Sequence, residues 1–408
     1  MPKLMLTNLL HRLMFAVRPL LRSLPGDLGR CLAIRIFGIG APIRGAEFGP
    51  GVPWEENSPL VSVVIPCFNH GRYLPRTLAS LTRQSFQDFE VIVVDDGSDD
   101  PCTLEFLDTL ETPAIQLLRQ PNRGPSAARN AGIARSRGRY ICCLDADDHL
   151  APTYLEKCLV LLEGNYGIRL AYSWVRLEGE EQRLHRAVEF DAGLLRYMNF
   201  ICVAAVFHRA DWERGGGFDE SREALFEDWD FWVSLASHGV RGKVIAEPLM
   251  FYHRQAGSRL QQGNRRGVRT YRRLRARHPR FFSGRRCLRE LAAGYFDHWT
   301  QTPLMNLSRS AQYKAAEPES LVAVIGSTAD LNEWRLRLDA VTASTPIFVI
   351  VGDCAELPAW LLARAEAVYW LANLLHRSQW PDFISNFVQT RGIGQGIRDC
   401  GAIAGHLH

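Results

Sequence analysis

The stretch Phe89-Glu90-Val91-Ile92-Val93-Val94-Asp95-Asp96 decides the fold, because an apolar run rich in β-branched residues ends abruptly in two carboxylates. Such a run is typical of a buried strand. A second apolar run, Tyr140–Leu144, ends in the cluster Asp145-Ala146-Asp147-Asp148. Carboxylates at the carboxyl ends of strands lie where open α/β sheets bind ligands. Because neighbouring carboxylates repel one another, we expect such a site to hold a cation or a proton.

Strands and helices alternate around these two runs. The predicted strands of this part are Val61–Ile65, Phe89–Val94, Ile115–Leu118 and Tyr140–Leu144, and the predicted helices are 73–82, 103–110 and 126–136. This order predicts an α/β fold in which helices cover a mostly parallel sheet. A smaller βαβα pattern follows, with strands at 321–325 and 347–351 and helices near 331–341 and 358–375.

The chain has 408 residues, which is more than one ordinary core requires, so several units are expected. Composition and pattern divide it into a basic N-terminal segment with a linker at 1–57, a main domain at 58–290, a linker at 291–317 and a small α/β unit of unassigned role at 318–408.

Two basic stretches are candidates for contact with a membrane or with another protein surface. Leucines recur at helical spacing in the N-terminal segment, and no acidic residue comes before Asp27. Such an amphipathic helix lies either on an anionic membrane surface or against a protein domain, and both interpretations stay open. The arginine-rich stretch Arg265–Arg289 is either a solvated helix face or a contact for anionic lipid or a lipid-linked acceptor.

The bulk composition narrows the class of protein. A content of 47% hydrophobic and 23% charged residues is typical of globular proteins, and a net charge of +4 is too small to indicate a nucleic-acid partner. The ten cysteines form no C-x-x-C pair, which favours reduced thiols over a disulfide framework or a zinc site. With no cleavable signal peptide and no long apolar run, we expect a cytoplasmic protein, with or without peripheral contact at the cytosolic membrane face.

From Ser58 to about Leu260 the chain resembles the inverting glycosyltransferases of family 2, which have the GT-A fold. A lone Asp-x-Asp would be weak evidence, but several motifs in the family's order are specific. The motifs that carry the resemblance are Val63–Asn69 with Tyr73-Leu74, Val94–Ser98, Asn122–Gly124 with Ala128–Gly132, Asp145–Asp148, Gly217–Glu220 and Glu227–Asp230.

The resemblance implies a metal-dependent transfer of one sugar, with inversion, from a nucleotide-sugar donor to an acceptor hydroxyl. A UDP-linked donor, a glycan or lipid-linked acceptor, and a role in cell-envelope polysaccharide or glycolipid synthesis are the family's usual case. The alternative is a catalytically weakened GT-A-like scaffold that binds a nucleotide or a glycan.

The resemblance also assigns roles on the donor side. Pro66, Phe68 and Asp96 would line the pocket of the donor base, and Arg129 would reach the nucleotide or its phosphate. The oxygens of Asp145 and Asp147 would position Mg²⁺ or Mn²⁺, which bind oxygen ligands and bridge phosphates, and Asp145 and Asp148 would contact the donor. Each acidic cluster also fits a simpler structural role, as a turn or a helix cap.

On the acceptor side, inversion requires a base opposite the leaving group. By the position of the Glu-Asp pair in the family, Asp228 would be that base, with Glu227 as the alternative.

The chain departs from the family's pattern at one predicted metal ligand. Many relatives have a metal-binding His where this chain has Gln255, and a Gln carbonyl is a weaker ligand than imidazole. Either the metal relies on Asp147 and phosphate, with Gln255 as a weak ligand, or His253 takes the place of the missing His.

Overall fold

A computed structural model describes residues 58–110, 115–165, 167–221, 226–255, 267–282, 313, 320–325, 331, 345–352, 356–375, 379–391, 393 and 397–400. The predicted N-terminal amphipathic helix lies outside the described residues, as do the predicted linker at 291–317 except for residue 313 and the predicted helix at 331–341 except for residue 331. Among the described helices, none combines the length and the apolar character needed to cross a bilayer.

The main domain consists of alternating strands and helices. Its strands are β1 Val61–Cys67, β2 Phe89–Asp95, β3 Ile115–Arg119, β4 Tyr140–Cys143, β5 His149–Leu150, β6 Leu170–Gly179, β7 Arg183–His185, β8 Val206–His208 and β9 Gly242–Arg254. Its helices are α1 Leu74–Thr82, α2 Pro101–Asp108, α3 Pro125–Arg135, α4 Tyr154–Glu163, α5 Arg209–Gly215, α6 Glu227–Ser237, α7 Gly267–Arg277 and α8 Pro279–Phe282, with a 3₁₀ turn at Leu194–Arg196.

One sheet runs through this domain in the order β3-β2-β1-β4-β8-β6-β9-β5, with β7 at the side of β6. The strands β3, β2, β1 and β4 are parallel, whereas β8 is antiparallel to both of its neighbours. The predicted α/β fold with a mostly parallel sheet is therefore confirmed. Because β1 lies between β2 and β4, the direction of winding reverses there, and a crevice opens at the carboxyl ends of these strands.

Both faces of the parallel part are buried, which explains its continuous apolar runs. Val63 and Ile65 of β1 point into one hydrophobic cluster, while Val64 points into the other. On the second face, a Cβ on Gly132 of α3 would come within 2.4 Å of Val64 Cγ1. Glycine therefore lets α3 approach the sheet closely, and this contact fixes the position of the helix that carries Arg129.

The smaller unit has its own parallel sheet. Its strands are β10 Leu321–Ile325, β11 Ile347–Val351, β12 Ala365–Trp370 and β13 Ile397–Cys400, and its described helices are α9 Ala359–Arg364, α10 Leu371–Leu374 and α11 Trp380–Arg391. The strand order is β12-β11-β10-β13, with every neighbouring pair parallel. This is the same order, with the same reversal beside the first strand, as β3-β2-β1-β4 in the main domain.

The smaller unit packs on α4, the helix that follows the second acidic cluster, and all ten residues of α4 are buried. Glu156 of α4 accepts hydrogen bonds from Arg391 Nη2 at 2.5 Å and from Tyr369 Oη at 2.9 Å. Lys157 Nζ donates to Glu247 Oε2 and to the Val368 carbonyl, both at 2.6 Å. Charged side chains of α4 are thus paired by the smaller unit and by β9, because buried charges require partners.

This interface yields a stability prediction. Arg391→Met should lower the free energy of unfolding by about 3–5 kcal/mol, since it leaves Glu156 buried without its counter-charge. Adding Glu156→Gln should restore part of the loss. Urea denaturation provides the measurement, and Arg119→Met is the matched control because it breaks the exposed pair with Asp108, at a cost of about 0–1 kcal/mol. Equal losses in Arg391→Met and Arg119→Met would contradict the proposed contribution of the interface.

Candidate active site

The two acidic clusters lie at the same edge of the main sheet. In the register of the parallel strands, Cys67 at the end of β1 pairs with Asp95 of β2, and Val64 pairs with Cys143 of β4, two residues before Asp145. The Asp96 N–H donates to the Cys67 carbonyl at 2.8 Å. The crevice beside β1 is therefore bordered by the carboxylates that the sequence singles out.

Asp96 is buried, and its carboxylate holds the loop that leads into α3. Its Oδ1 accepts from Gln120 Nε2 at 2.7 Å and from the Arg123 N–H at 2.9 Å, and its Oδ2 accepts from the Gly124 N–H at 2.7 Å. The side chain predicted to contact the donor base thus also fixes the backbone of Arg123 and Gly124. Sequence reasoning gave no sign of this second role.

Phe68 follows β1 at this edge, next to Pro66 and Cys67. Its side chain is 42% exposed, and among the described residues only Leu362 is another large exposed hydrophobic. The backbone after Phe68 is held in place because Asn69, with a left-handed φ of 56°, accepts at Oδ1 from the Asp99 and Asp100 N–H groups. An exposed ring on a fixed loop is a suitable stacking surface for a planar ligand.

Arg129 lies at the centre of the site, with a side chain that is only 4% exposed. Its Nη2 donates to Asp145 Oδ1 at 2.6 Å, and its Nη1 donates to Glu227 Oε1 at 3.1 Å. Burial alone would lower the pKa of Arg129, but the two carboxylates outweigh it, and the pKa rises above the ordinary value. The predicted contact partner of the nucleotide therefore connects the donor-side acid to the acid at the start of α6.

Asp147 and Asp148 form the other part of the second cluster. Burial and the neighbouring Asp145 raise the pKa of Asp147, and burial together with Asp147 and Asp145 raises that of Asp148. Asp148 is 1% exposed; its Oδ1 accepts from the His253 N–H at 2.9 Å, whereas its Oδ2 is buried without a hydrogen-bond partner. Crowded carboxylates of this kind suit a cation.

The candidate third ligands surround Asp147. Gln255 Nε2 donates to Asp147 Oδ2 at 3.0 Å, while the His253 ring packs on Tyr73 at a centroid distance of 5.1 Å. His70, which sequence reasoning missed, lies with its Nδ1 4.0 Å from Asp147 Oδ1. Within the described residues, no three His, Cys, Asp or Glu side chains are arranged to hold a metal on their own. A cation here would therefore need water or substrate oxygens as well.

Asp228 lies in the first turn of α6, half-buried. Its Oδ1 accepts from the Trp229 N–H at 2.8 Å, and its Oδ2 accepts from Asn199 Nδ2 at 2.8 Å. Burial, with the adjacent Glu227, raises the pKa of Asp228 to about 7, although the Trp229 N–H, Arg129 and Asn199 each lower it. A carboxylate that titrates near neutral pH is suited to accept a proton.

Glu227 and Asp228 are neighbours in the sequence but have different partners. Glu227 is committed to the ion pair with Arg129. Asp228 is held by neutral donors and remains partly accessible. The aromatic side chains that follow, Phe231 and Trp232, are 0% and 1% exposed and belong to the hydrophobic core. The geometry therefore distinguishes Asp228 from Glu227 as the group that a substrate hydroxyl could approach.

Known proteins show similarity to this part of the chain. Residues 62–215 match the model of the family "Glycosyl transferase family 2". An uncharacterized glycosyltransferase from Haemophilus influenzae is 36% identical over 133 residues, or 31% of this chain and 53% of that protein. The chondroitin synthase of Pasteurella multocida is 30% identical over 187 residues, or 44% of this chain and 19% of that protein.

The chain thus spans about half or less of the length of these two relatives. Among solved structures, S. aureus TarS in complex with UDP is 20% identical, with a TM-score of 0.43 over 48% of this chain and 60% of that chain. The matched residues include β1 from its second residue, both acidic clusters and Arg129, which together form the edge described above. The similarity to glycosyltransferase family 2 therefore lies in the domain that contains residues 62–215.

Proposed function

We propose that this protein transfers one sugar, with inversion, from a nucleotide-sugar donor to an acceptor hydroxyl. The observation that supports this best is the pairing of Arg129 with both Asp145 and Glu227, beside the half-buried Asp228. This pairing links Asp145 of the second acidic cluster to the start of α6 beside Asp228, and so supports a donor site and a proton acceptor in one crevice. The family match and the names of the relatives support the same chemistry.

The nucleotide binds at the carboxyl ends of β1 and β2. The base stacks on the exposed ring of Phe68 beside Pro66 and contacts Asp96, which also fixes the backbone of Arg123 and Gly124. A UDP-linked donor is the proposal that follows from the family resemblance. The diphosphate extends toward Asp145 and Asp148, where crowded carboxylates require positive charge.

Mg²⁺ or Mn²⁺ supplies that charge. The residues present fit such an ion, because Asp147 has a raised pKa and Asp148 has a buried oxygen without a partner. Asp145 and Asp147 would hold the ion, with Gln255 or His253 as a weak further ligand. When bound, the ion acts as a Lewis acid that stabilises the departing nucleoside diphosphate.

Asp228 takes the proton in the transfer step. The acceptor hydroxyl gives its proton to a carboxylate oxygen of Asp228, and its oxygen forms the new bond to the anomeric carbon. The bond from that carbon to the diphosphate breaks on the opposite face, and the nucleoside diphosphate leaves with the electron pair. The negative charge of Glu227 stays balanced by Arg129 during the transfer step.

The acceptor is a glycan or a lipid-linked sugar of cell-envelope synthesis. Arg272 and Arg275 of α7 are exposed and provide a positive surface for a phosphate-bearing acceptor or an anionic membrane. The proposed site of action is the cytosolic membrane face. The scaffold alternative is favoured by Gln255, since it replaces the metal-binding His of many relatives.

Asp228→Asn should lower the rate of transfer by about 10²–10⁴-fold, because it removes the proton acceptor. Binding of the nucleoside diphosphate should stay unchanged. The measurement is the release of nucleoside diphosphate across a panel of donors with membrane extract as the acceptor source, and Asp108→Asn on the surface is the control. Full activity in Asp228→Asn would show that the base is wrongly assigned, and no turnover by the unmodified protein with any donor would favour the scaffold.

Phe68→Ala should raise the dissociation constant of UDP by roughly tenfold, because stacking of a base on an aromatic ring contributes about 1–3 kcal/mol. Isothermal titration in the presence of Mn²⁺ gives the constant. Leu362→Ala is the matched control, since Leu362 is exposed to a similar extent, 46%, but belongs to the smaller unit. Equal affinities in the two variants would place the nucleotide elsewhere.

A further inference from the structure

Asn199 contacts Asp228, and no sequence motif predicts this contact. It lies between the 3₁₀ turn at Leu194–Arg196 and β8, and its Nδ2 donates to Asp228 Oδ2 at 2.8 Å. Its Oδ1 accepts from the Ile201 N–H at 3.1 Å. Because both ends of the amide are engaged, only one orientation satisfies the network, and it directs the NH₂ group toward Asp228.

The loop that carries Asn199 is anchored to the same helix as Asp228. Trp229 Nε1 donates to the Leu195 carbonyl at 2.7 Å, and Trp232 Nε1 donates to the Ile201 carbonyl at 3.2 Å. These two indoles of α6 hold the loop on either side of Asn199. The distance between Asn199 Nδ2 and Asp228 Oδ2 is therefore set by contacts between this loop and α6.

The charged and titratable groups around Asp228 come from several elements. Glu227 of α6 opposes its ionisation, while Arg129 of α3 favours it. Cys202, in the loop after Asn199, and Tyr252 of β9 also face it, and Asp228 contributes to the raised pKa of each. Among these neighbours, the Trp229 N–H and the Asn199 amide are the neutral donors bound to the carboxylate.

We propose that Asn199 is a positioning residue for Asp228, one that orients the carboxylate and keeps it ionised for deprotonation of the acceptor. An ionised carboxylate accepts about four hydrogen bonds, so the two donors leave capacity for a substrate hydroxyl. A hydrogen bond to the charged form favours that form, and this lowers the pH at which the base becomes active. The inference rests on the proposed function, in which Asp228 is the base.

The sharpest variant is Asn199→Asp. It keeps an oxygen for the Ile201 N–H, but replaces the donor that faces Asp228 with a second carboxylate. The titration midpoint of Asp228, about 7 in the unmodified protein, should rise by roughly one pH unit or more. In transfer assays, the acid limb of the kcat/KM profile should move by the same amount, so activity at pH 7 falls about fivefold or more and recovers at alkaline pH.

The midpoint is read by NMR of protein labelled with ¹³C at the aspartate carboxyl, with the Asp228 resonance assigned from the spectrum of Asp228→Asn. This readout does not require transfer. Asn199→Ala, which introduces no charge, should give a smaller rise in the same direction. An unchanged midpoint in both variants would overturn the proposal, even where the unmodified protein transfers sugar. A shifted midpoint in a protein that turns over no donor would support the contact while contradicting the proposed function.

Discussion

The arrangement of the site depends on one buried guanidinium. Arg129 binds Asp145, at the end of β4, and Glu227, at the start of α6, and its side chain is almost completely removed from water. Without it, two carboxylates would face each other in a region of low polarity, which is strongly unfavourable. Because α3 is fixed on the sheet by close packing at Gly132, the guanidinium has a defined position. The end of β4 and the start of α6 are thereby held at a fixed separation.

This constraint also explains how two adjacent acids acquire different properties. Glu227 is paired with Arg129, whereas Asp228 is bound by the Trp229 N–H and the Asn199 amide. Neutral donors orient a carboxylate without fully compensating its burial, so the pKa of Asp228 rises to about 7. Glu227, which forms a structural ion pair, and Asp228, which is suited to accept a proton, are thus adjacent in the sequence.

The main sheet and the edge where the acids lie could be predicted from the sequence, because apolar runs ending in carboxylates are local signals. β1, β2 and β4 begin within one residue of their predicted positions. The partners of the acids could not be predicted in the same way. The donors to Asp96 come from Gln120 and from the backbone of a loop more than twenty residues away, and Asn199 stands in no recognisable motif. Contacts of this kind arise from tertiary packing, which no local pattern encodes.

The same limit applies to the smaller unit. Its strands β10 and β11 were predicted from apolar runs, but the single helix predicted near 358–375 was wrong, because the strand β12 Ala365–Trp370 divides that stretch into α9 and α10. The contact of Arg391 with Glu156, which joins residues 235 positions apart, had no signal in the sequence. Through this contact the smaller unit supports α4, the helix that begins shortly after Asp148. The helix that follows the second acidic cluster is therefore supported by a unit whose strand order, β12-β11-β10-β13, repeats the order β3-β2-β1-β4 of the main sheet.

The most direct test of the central claim is a double-mutant cycle between Asp145→Asn and Glu227→Gln, measured as free energy of unfolding in urea. If one guanidinium serves both carboxylates, each single variant leaves Arg129 with one charged partner, and the double variant leaves it buried with none. The double variant should then lose about 1–3 kcal/mol more than the sum of the single losses. Additivity within about 0.5 kcal/mol would show that Arg129 does not couple the two edges of the site.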